Sequence, residues 1–328
     1  MSTIEVGGPR RYSPRVIVEE PTQIDRWFDR VTLWSGLAVL VILTLVGVFL
    51  LLRSEKALNV TGLWGFLTTK TWRTDVHPPK IGVLGLLTGT VEVAIIAIFI
   101  AVPLGVMSAL FITEYASPKS RRYLTAVVDL FAAIPSLLYG IWGFIVFQKQ
   151  IVPLSRWLTR HLGWFPLFHT DKGAILTNTI FIGGIVVSLM TLPIIASVVR
   201  EVFAQTPPGE KEAALALGAT KWGMIRNVVL PFGRGGIIGG TMLGLGRALG
   251  ETIALALLLS QVAQVNFKIL ENGGGSISGF IARRAGSDAF TTSGLMAAGL
   301  VLFILTLATN MVASVVVSRS RSGAGVEL

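Results

Sequence analysis

Two charged residues that lie four positions apart in an apolar stretch are the part of this sequence best suited to chemistry. Arg247 and Glu251 occur in the segment GLGRALGETIA, and an α-helix would place both side chains on one face. Each charge costs about 2.5–3.5 kcal/mol at the centre of a membrane helix. One interpretation is an ion pair that only holds a helix bundle together. The other is a path for an anion, because the planar guanidinium group matches the oxygens of a phosphate group.

Under the second interpretation, Glu251 has its own task. It could hold the guanidinium group in place between substrates and accept a proton from a protonated oxyanion. Phosphate still carries P–OH groups near neutral pH, whereas sulfate is fully ionised, so a carboxylate acceptor would favour phosphate. The residues alone leave the ion pair and the anion path open.

The surrounding composition is that of a membrane protein. Of 328 residues, 52% are hydrophobic and only 14% are charged, with a mean hydropathy of +0.70, whereas a soluble domain has about a quarter charged residues. The apolar residues form six runs, each long enough to cross about 30 Å of hydrocarbon as a helix. We therefore predict an all-α polytopic membrane protein with six transmembrane helices, at about 31–52, 84–112, 124–147, 174–199, 236–260 and 295–317.

The runs divide the chain into three parts. Residues 1–30 are predicted to be a flexible cytoplasmic tail, residues 31–318 the six-helix transmembrane domain, and residues 319–328 a cytoplasmic tail. An even number of spans puts both termini on one side. The basic cluster Lys119–Arg122, next to a span end, favours the cytoplasm for that side. This organisation predicts a multi-pass protein of the bacterial inner membrane.

Several classes of function are excluded or disfavoured by composition. The chain has no cysteine, so it has no disulfide and no thiol chemistry. Its three histidines lie outside the apolar runs without metal-binding spacing, and we predict no metal site. It has no GxxxxGK[ST] phosphate loop, so any ATP and Mg²⁺ would bind a partner subunit. The sequence lacks the nucleophile–base pair that an enzyme would need, which disfavours catalysis. The net charge of +10 suits contact with anionic lipid or an anionic substrate.

A polar, cationic segment at 200–235 separates the fourth and fifth runs and contains EAALALGATKWGMIRNVVLP. Its pattern predicts a short helix that includes Glu212, Ala213 and Ala214, a turn at Gly218, and a second helix that returns to the membrane. Such a segment suits coupling to a partner, although an ordinary amphipathic loop would have a similar pattern. It leads into the fifth run, which we expect to form one continuous helix over 235–260 that carries Arg247 and Glu251.

Glycines recur every four residues in this fifth run, at 236, 240 and 244. This spacing lets helices approach closely. Close approach by a second permease chain would put Arg247 at a subunit interface.

The E-A-A…G…L-P pattern of the 200–235 segment, which ends in Leu230 and Pro231, resembles the loop of bacterial ABC-importer permeases that docks onto an ATPase subunit. GRALGET at 246–252 resembles the G-R-A-x-G-E-T segment of phosphate-specific permeases, and AAIPSLLYGIWG at 132–143 resembles another of their signatures. The resemblance covers roughly residues 31–318. The sequence resembles the PstC type of permease more than the PstA type. Both types are similar to the binding-protein-dependent transport inner-membrane component family.

This resemblance implies a type I ABC-importer permease fold and a subunit of an ATP-driven importer of inorganic phosphate. The implied partners are a second permease of the PstA type, a dimeric cytoplasmic ATPase of the PstB type, and an extracytoplasmic phosphate-binding protein of the PstS type. It assigns phosphate passage to Arg247 and Glu251. It assigns ATPase coupling to Glu212, Ala213, Ala214 and Gly218, and a helix kink or a place in the path to Pro135, Ser136 and Tyr139.

Other functions remain compatible with the residues. A permease for sulfate or molybdate would need similar groups, and a passive anion channel would need only the intramembrane arginine. Outside the spans, the loop around 148–168 mixes Trp157 and Trp164 with Arg156 and Arg160. That mixture suits the lipid headgroup region, and it also suits a surface that receives a solute-binding protein.

Overall fold

The computed structural model describes residues 22–320. Most of the predicted N-terminal tail and most of the C-terminal tail therefore lie outside the described residues. Helix α1 begins at Gln23, before the first predicted span. The α-helices of the described part are α1 Gln23–Thr61, α2 Leu63–Thr68, α3 Leu84–Leu110, α4 Pro118–Ala133, α5 Ser136–Trp142, α6 Gln148–Leu162, α7 Ile180–Ala204, α8 Pro208–Ala216, α9 Lys221–Met224, α10 Leu230–Gly250, α11 Ile253–Leu258, α12 Ile277–Arg284 and α13 Ala289–Ser320.

Three π-helical turns extend these helices, and a 3-10 turn at Pro166–Phe168 and a short hairpin complete the secondary structure of the described residues. The π-helical turns follow α3, α5 and α9, at Phe111–Tyr115, Gly143–Phe147 and Ile225–Val229. Strands β1 Trp72–Arg73 and β2 Lys80–Ile81 pair antiparallel, with Trp72 opposite Ile81.

The chain separates into two compact units between Val48 and Phe49. In the first unit, the backbone N–H and hydroxyl groups of Thr22 both donate to the Asp25 carboxylate, at 2.8 and 2.7 Å, and this cap fixes the start of α1. The apolar side chains that follow are exposed, Trp27 and Trp34 among them. An exposed apolar helix of this length is typical of contact with lipid.

Among the described residues, six helical segments are long and apolar enough to cross a membrane, which agrees with the predicted number. They differ from the predicted spans mainly at the third and fifth. The segments are Gln23–Thr61, Leu84–Tyr115, Ser136–Leu162, Ile180–Ala204, Lys221–Gly250 and Ala289–Val317.

The third predicted span, 124–147, is divided in the structure. Helix α4 ends at Ala133, Ile134 is extended with φ −65° and ψ 128°, and Pro135 precedes α5. A residue before proline is pushed out of the helical region by the proline ring, which explains the break. The third span consequently begins at Ser136, and α4 forms a separate, amphipathic helix.

The second unit, from Phe49 onward, has a core built around α3, α7 and α10. Gly105 of α3 lies against Ile195 of α7, where an added Cβ atom would come within 3.0 Å of the isoleucine side chain. The glycines of α10 face α7 in the same way, with Gly236 next to Val202 and Gly244 next to Ile195. The repeated glycines at these positions thus allow close packing of α10 on α7 within this chain.

The fifth span is not the continuous helix that we expected over 235–260. Helix α10 ends at Gly250, and Glu251 has an extended backbone with φ −64° and ψ 123°. The Ser278 hydroxyl donates to the Glu251 carbonyl oxygen at 2.5 Å, which satisfies a group that the interrupted helix leaves open. The short helix α11 then starts after the break, so Glu251 lies beyond the helix that carries Arg247.

The two ends of the bundle are built differently. The end formed by residues 111–122 and 205–229 carries the predicted coupling segment, and we call it the coupling end. The opposite end, formed by residues 69–83, 163–179 and 260–288, contains the hairpin, α12 and the connecting loops, and we call it the far end. Helices α3 and α7 run from the far end to the coupling end.

Candidate functional site

Arg247 lies in the last turn of α10 on the face that points away from this chain's core. Its neighbours Ala248 and Leu249 are buried against residues of α3 and α7. Within residues 22–320, its guanidinium group has no carboxylate within 4.0 Å and no hydrogen-bond partner. The structure therefore presents an exposed, unpaired arginine on the side of a membrane span.

Glu251 is buried, with 7% of its surface exposed, and is not paired with Arg247. Its Oε1 atom accepts the N–H group of Ala254 at 3.3 Å, so the carboxylate caps the start of α11. The predicted placement of both charges on one helix face was wrong, because the backbone leaves the helix at Glu251. The ion pair that would only hold the bundle together is absent from the described residues.

The signature at Pro135, Ser136 and Tyr139 marks the break before the third span. Pro135 precedes α5 and Ser136 is its first residue. The Tyr139 hydroxyl group donates to the Phe131 carbonyl oxygen at 3.1 Å, which ties α5 back to α4. Tyr139 also interacts electrostatically with Arg247. The fold thus places these two predicted residues within electrostatic range of each other, while Pro135 and Ser136 form the turn before α5.

An apolar cavity of about 510 Å³ lies next to Tyr139, between α4, α5 and α7. Its walls include Phe131, Leu138 and Trp142 on one side and Leu189 and Leu192 on the other. It offers no charged group, so it is unsuited to bind an anion by itself.

The coupling segment has the predicted shape. Helix α8 is followed by Gly218 with φ +85°, a left-handed conformation that favours glycine. The N–H groups of Leu217, Gly218 and Ala219 all bond to carbonyl groups of α8, as at other helix ends that close with glycine. Thr220 then caps α9 by accepting the N–H group of Gly223 at 3.1 Å.

The predicted coupling residues are divided between two faces of α8. Glu212 and Ala213 are exposed, whereas Ala214 packs with Met224 and Ile225 in the core of the coupling end. Beyond α9 the π-helical turn leads directly into α10, so Lys221–Gly250 is one span. The coupling segment is consequently continuous with the helix of Arg247, as predicted, but that continuity stops at Gly250.

Sequence reasoning missed the contact that fixes α8 to the bundle. The Lys211 ammonium group donates to Glu114 Oε1 at 2.7 Å, and the two side chains are only 21% and 7% exposed. Glu114 lies in the π-helical turn that ends α3. A lysine in α8 and a glutamate at the end of an apolar run were visible in the sequence, but a separation of 97 residues gave no local signal of their contact.

Two further contacts hold the same end of α3. The Lys221 ammonium group lies 4.3 Å from the centre of the Tyr115 ring, a cation–π distance. Arg121 donates from Nε to the Ile112 carbonyl oxygen at 3.0 Å and from its terminal nitrogen to the Thr113 carbonyl oxygen. Helices α4, α8 and α9 are therefore all attached to the end of α3.

The coupling end also exposes apolar side chains. Leu217 is 89% exposed, Trp222 57% and Leu215 46%. Exposed apolar side chains grouped on an otherwise polar loop are typical of a surface that binds another protein. For a metal, by contrast, no group of three or more suitable side chains occurs within residues 22–320.

Comparison with known proteins adds independent information. The sequence model of the family described as "Binding-protein-dependent transport system inner membrane component" matches residues 101–322. The chain is 39% identical over 302 residues to the phosphate transport system permease protein PstC 2 of Mycobacterium tuberculosis, which covers 91% of this chain and 93% of that protein. It is 36% identical over 297 residues to the PstC protein of Xylella fastidiosa, covering 89% and 90%.

Solved structures with the same fold include two transporter chains. One is from an inward-facing crystal form of the MetNI methionine ABC transporter, with a TM-score of 0.50 at 17% identity over 73% of this chain and 95% of that chain. The other is from a bacterial ABC transporter involved in the import of the acidic polysaccharide alginate, with a TM-score of 0.50 at 17% identity, covering 72% and 79%. At this identity the likeness concerns the fold alone, and it confirms the predicted type I ABC-importer permease architecture.

Proposed function

Since this chain belongs to the binding-protein-dependent transport system inner membrane component family, we propose that it is a transmembrane subunit of an ATP-driven importer of inorganic phosphate. It is a multi-pass inner-membrane protein with six spans, and as a permease it is a transport subunit. The alignments with the relatives named PstC cover nearly the whole length of those proteins. That likeness supports phosphate as the transported anion.

The observation that carries the proposal is the exposed, unpaired guanidinium group of Arg247. An arginine in a membrane span is costly, and such residues usually face a bundle interior or a water-filled cavity. Arg247 instead faces away from its own chain's core. A second permease subunit, of the PstA type, would cover this face and complete a path between the two chains.

Within that path, Arg247 donates charge-assisted hydrogen bonds to phosphate. These bonds must be transient, because too strong a binding free energy would trap the ion. Tyr139 is within electrostatic range of Arg247, without a hydrogen bond between the two side chains. Glu251 uses one carboxylate oxygen to cap α11, and its Oε2 has no hydrogen bond within the described residues. We assign to this second oxygen the acceptance of a P–OH proton as phosphate passes.

The proposed partners follow from the two ends of the bundle. A dimeric ATPase of the PstB type, which binds ATP and Mg²⁺, docks on the exposed face of Glu212, Ala213 and Leu217 at the coupling end. A phosphate-binding protein of the PstS type delivers the anion at the far end. The coupling end and both termini are then cytoplasmic.

Movement of the ATPase reaches the membrane by two routes. The first runs from α8 through the Lys211–Glu114 ion pair to α3. The second runs through α9 into α10, which carries Arg247. Because α10 ends at Gly250, the second route displaces Arg247 without carrying α11 along as one rigid rod. This arrangement supports alternating access, in which Arg247 is accessible first from one side of the membrane and then from the other.

The proposal is tested by Arg247→Gln in the native complex, purified through a tag on this chain and reconstituted into proteoliposomes. ATP-driven uptake of radiolabelled phosphate should fall to background, while all subunits still co-purify. Arg234→Gln is the matched control, because Arg234 is an exposed arginine on the same helix near the coupling end. Normal uptake by Arg247→Gln would contradict the assignment of Arg247 to the phosphate path.

Two further results would contradict the assignment of phosphate as the transported anion or the assignment of ATP-driven transport. Equal competition by sulfate or molybdate would show that phosphate is not selected. Uptake by the wild-type complex that persists without ATP would identify a passive channel.

A further inference from the structure

A second cationic feature, unrelated to the predicted motifs, lies at the far end. A cavity of about 570 Å³ opens between the hairpin, α12 and the loop after α11. Arg73 of β1 and Arg284 of α12 line it, and no aspartate or glutamate is among its lining residues in the described part of the chain. An opening with two arginines and no carboxylate attracts anions.

Arg284 is held in position by aromatic rings. Its guanidinium carbon lies 4.7 Å from the centre of the Phe280 ring. Phe280 in turn contacts Trp72 edge to face, with the ring centres 5.1 Å apart. Stacking on a buried ring reduces the conformational freedom that a guanidinium group must lose when it binds a ligand.

The other wall of the cavity contains one fixed side chain and one free amide donor. Gln261 donates from Nε2 to the Leu255 carbonyl oxygen at 2.7 Å and accepts the N–H group of Ser276 at 3.1 Å, so both ends of its side chain are fixed. Gln264 is exposed and makes no side-chain hydrogen bond within residues 22–320. A donor without an acceptor is what an oxyanion requires.

The cavity is close in the chain to the proposed path. Its wall begins at Ser260, and only the short helix α11 separates Ser260 from Glu251. Helix α11 packs on α5, where Gly140 lies against Ala254. Helix α5 also carries Tyr139, which is within electrostatic range of Arg247.

We propose that this cavity is a first binding site for inorganic phosphate on the permease, occupied before the anion reaches Arg247. Arg73 and Arg284 supply the charge-assisted hydrogen bonds, and Gln264 adds a neutral donor. The inference rests on the proposed function. It adds a site at the far end, and it requires phosphate to pass α11 on the way to the membrane.

The test uses the native complex in nanodiscs of phosphatidylcholine, without the binding protein, and equilibrium binding of radiolabelled inorganic phosphate. The double variant Arg73→Gln/Arg284→Gln should weaken phosphate binding by roughly tenfold or more, as expected for the loss of charged hydrogen bonds. Each single variant should lie between the double variant and wild type. Arg283→Gln is the matched control, because Arg283 is exposed on the same helix and does not line the cavity.

A second measurement separates this site from a docking contact. With binding protein present, uptake into proteoliposomes should fall in the double variant while the affinity of the binding protein for the complex is unchanged. Wild-type phosphate binding by the double variant, an equal loss in Arg283→Gln, or a loss of binding-protein affinity alone would each overturn the inference. A wild-type complex that does not transport phosphate would instead overturn the proposed function.

Discussion

The two ends of the bundle each contain a short ion pair, and the two pairs differ in their surroundings. At the coupling end, Lys211 and Glu114 are 2.7 Å apart with side chains 21% and 7% exposed. At the far end, Lys268 and Asp171 are 2.6 Å apart with side chains 31% and 69% exposed. Water weakens the attraction within an exposed pair, whereas a buried charge depends on its partner. Similar distances therefore have unequal consequences, and the shielded pair at the coupling end contributes more to holding its helix in place.

This difference matches the proposed tasks of the two ends. A segment that transmits force must not yield at its attachment, so α8 is tied to α3 by a shielded charge pair and by the packing of Ala214. An end that receives different partners or substrates can keep exposed contacts that rearrange at little cost. Three variants, two with a single substitution and one with two, test this difference between the ends.

Lys211→Glu should have the largest effect, because it places two carboxylates in a shielded site. Loss of one partner of a buried pair costs about 3 kcal/mol or more. We expect α8 to detach from α3 and ATP-driven phosphate uptake to fall to background, measured in proteoliposomes. The double variant Lys211→Glu/Glu114→Lys restores an ion pair and should recover much of the uptake. If Lys211→Glu alone transports normally, the shielded pair does not carry the coupling.

Glu212→Ala/Gly218→Val should have an intermediate effect on the same end. Gly218 has φ +85°, and a β-branched side chain in that conformation costs about 1–2 kcal/mol. We expect less ATPase to co-purify with the tagged permease and phosphate-stimulated ATP hydrolysis to fall several-fold. Gly209→Ala is the control, because Gly209 is also in α8 but has an ordinary φ and open space around it. Full coupling in the double variant would contradict the assignment of this turn.

Lys268→Met should have the smallest effect, because it removes the exposed pair with Asp171 and a longer contact of 3.9 Å with Glu271 at the far end. A hydrogen bond from Lys268 lowers the pKa of the Asp171 carboxyl group, and Asp171 in turn raises the pKa of the Lys268 ammonium group. The Asp171 carboxylate adds to the free energy of unfolding above its ordinary pKa of 3.8, and this contribution is lost as the pH falls through the lower pKa of the folded state. The Lys268 ammonium group adds to it below its ordinary pKa of 10.5, and this contribution is lost as the pH rises through the higher pKa of the folded state.

The melting temperature of Lys268→Met should consequently be lower than that of wild type by at most about 2 °C between about pH 5 and pH 9. This difference should shrink in acid, and uptake should stay close to the wild-type rate. Lys172→Met, at an exposed lysine without an ion-pair partner among the described residues, is the control. A loss of uptake comparable to that of Lys211→Glu would show that the two ends are not different in kind.

The features that the sequence predicted correctly are those that neighbouring residues determine. Six apolar runs are sufficient to count the spans, and Gly218 between two helical patterns is sufficient to place the turn. The break at Ile134 lies directly before Pro135, where the resemblance had offered a helix kink as one of two roles. The break at Glu251 was not predicted, because it is stabilised by the hydroxyl group of Ser278, which comes from another helix.

The contacts that position the candidate site depend on distant parts of the chain and were therefore not visible. The pairing of Lys211 with Glu114 and the meeting of Tyr139 with Arg247 need the tertiary fold before they can be seen. The spacing of Arg247 and Glu251 was even misleading, because four positions imply one helix face only while the helix continues.

The end of α10 at Gly250 has an electrostatic consequence for Arg247. The aligned peptide groups of a helix leave about half a negative elementary charge at its carboxyl end. Arg247 lies in that last turn, so the helix itself partly compensates the guanidinium group where no carboxylate does. On the proposed path, a passing phosphate would therefore meet a positive charge that is already partly balanced. The arginine can remain charged in the membrane while it is unoccupied, and it can release an anion without having to find a new counterion.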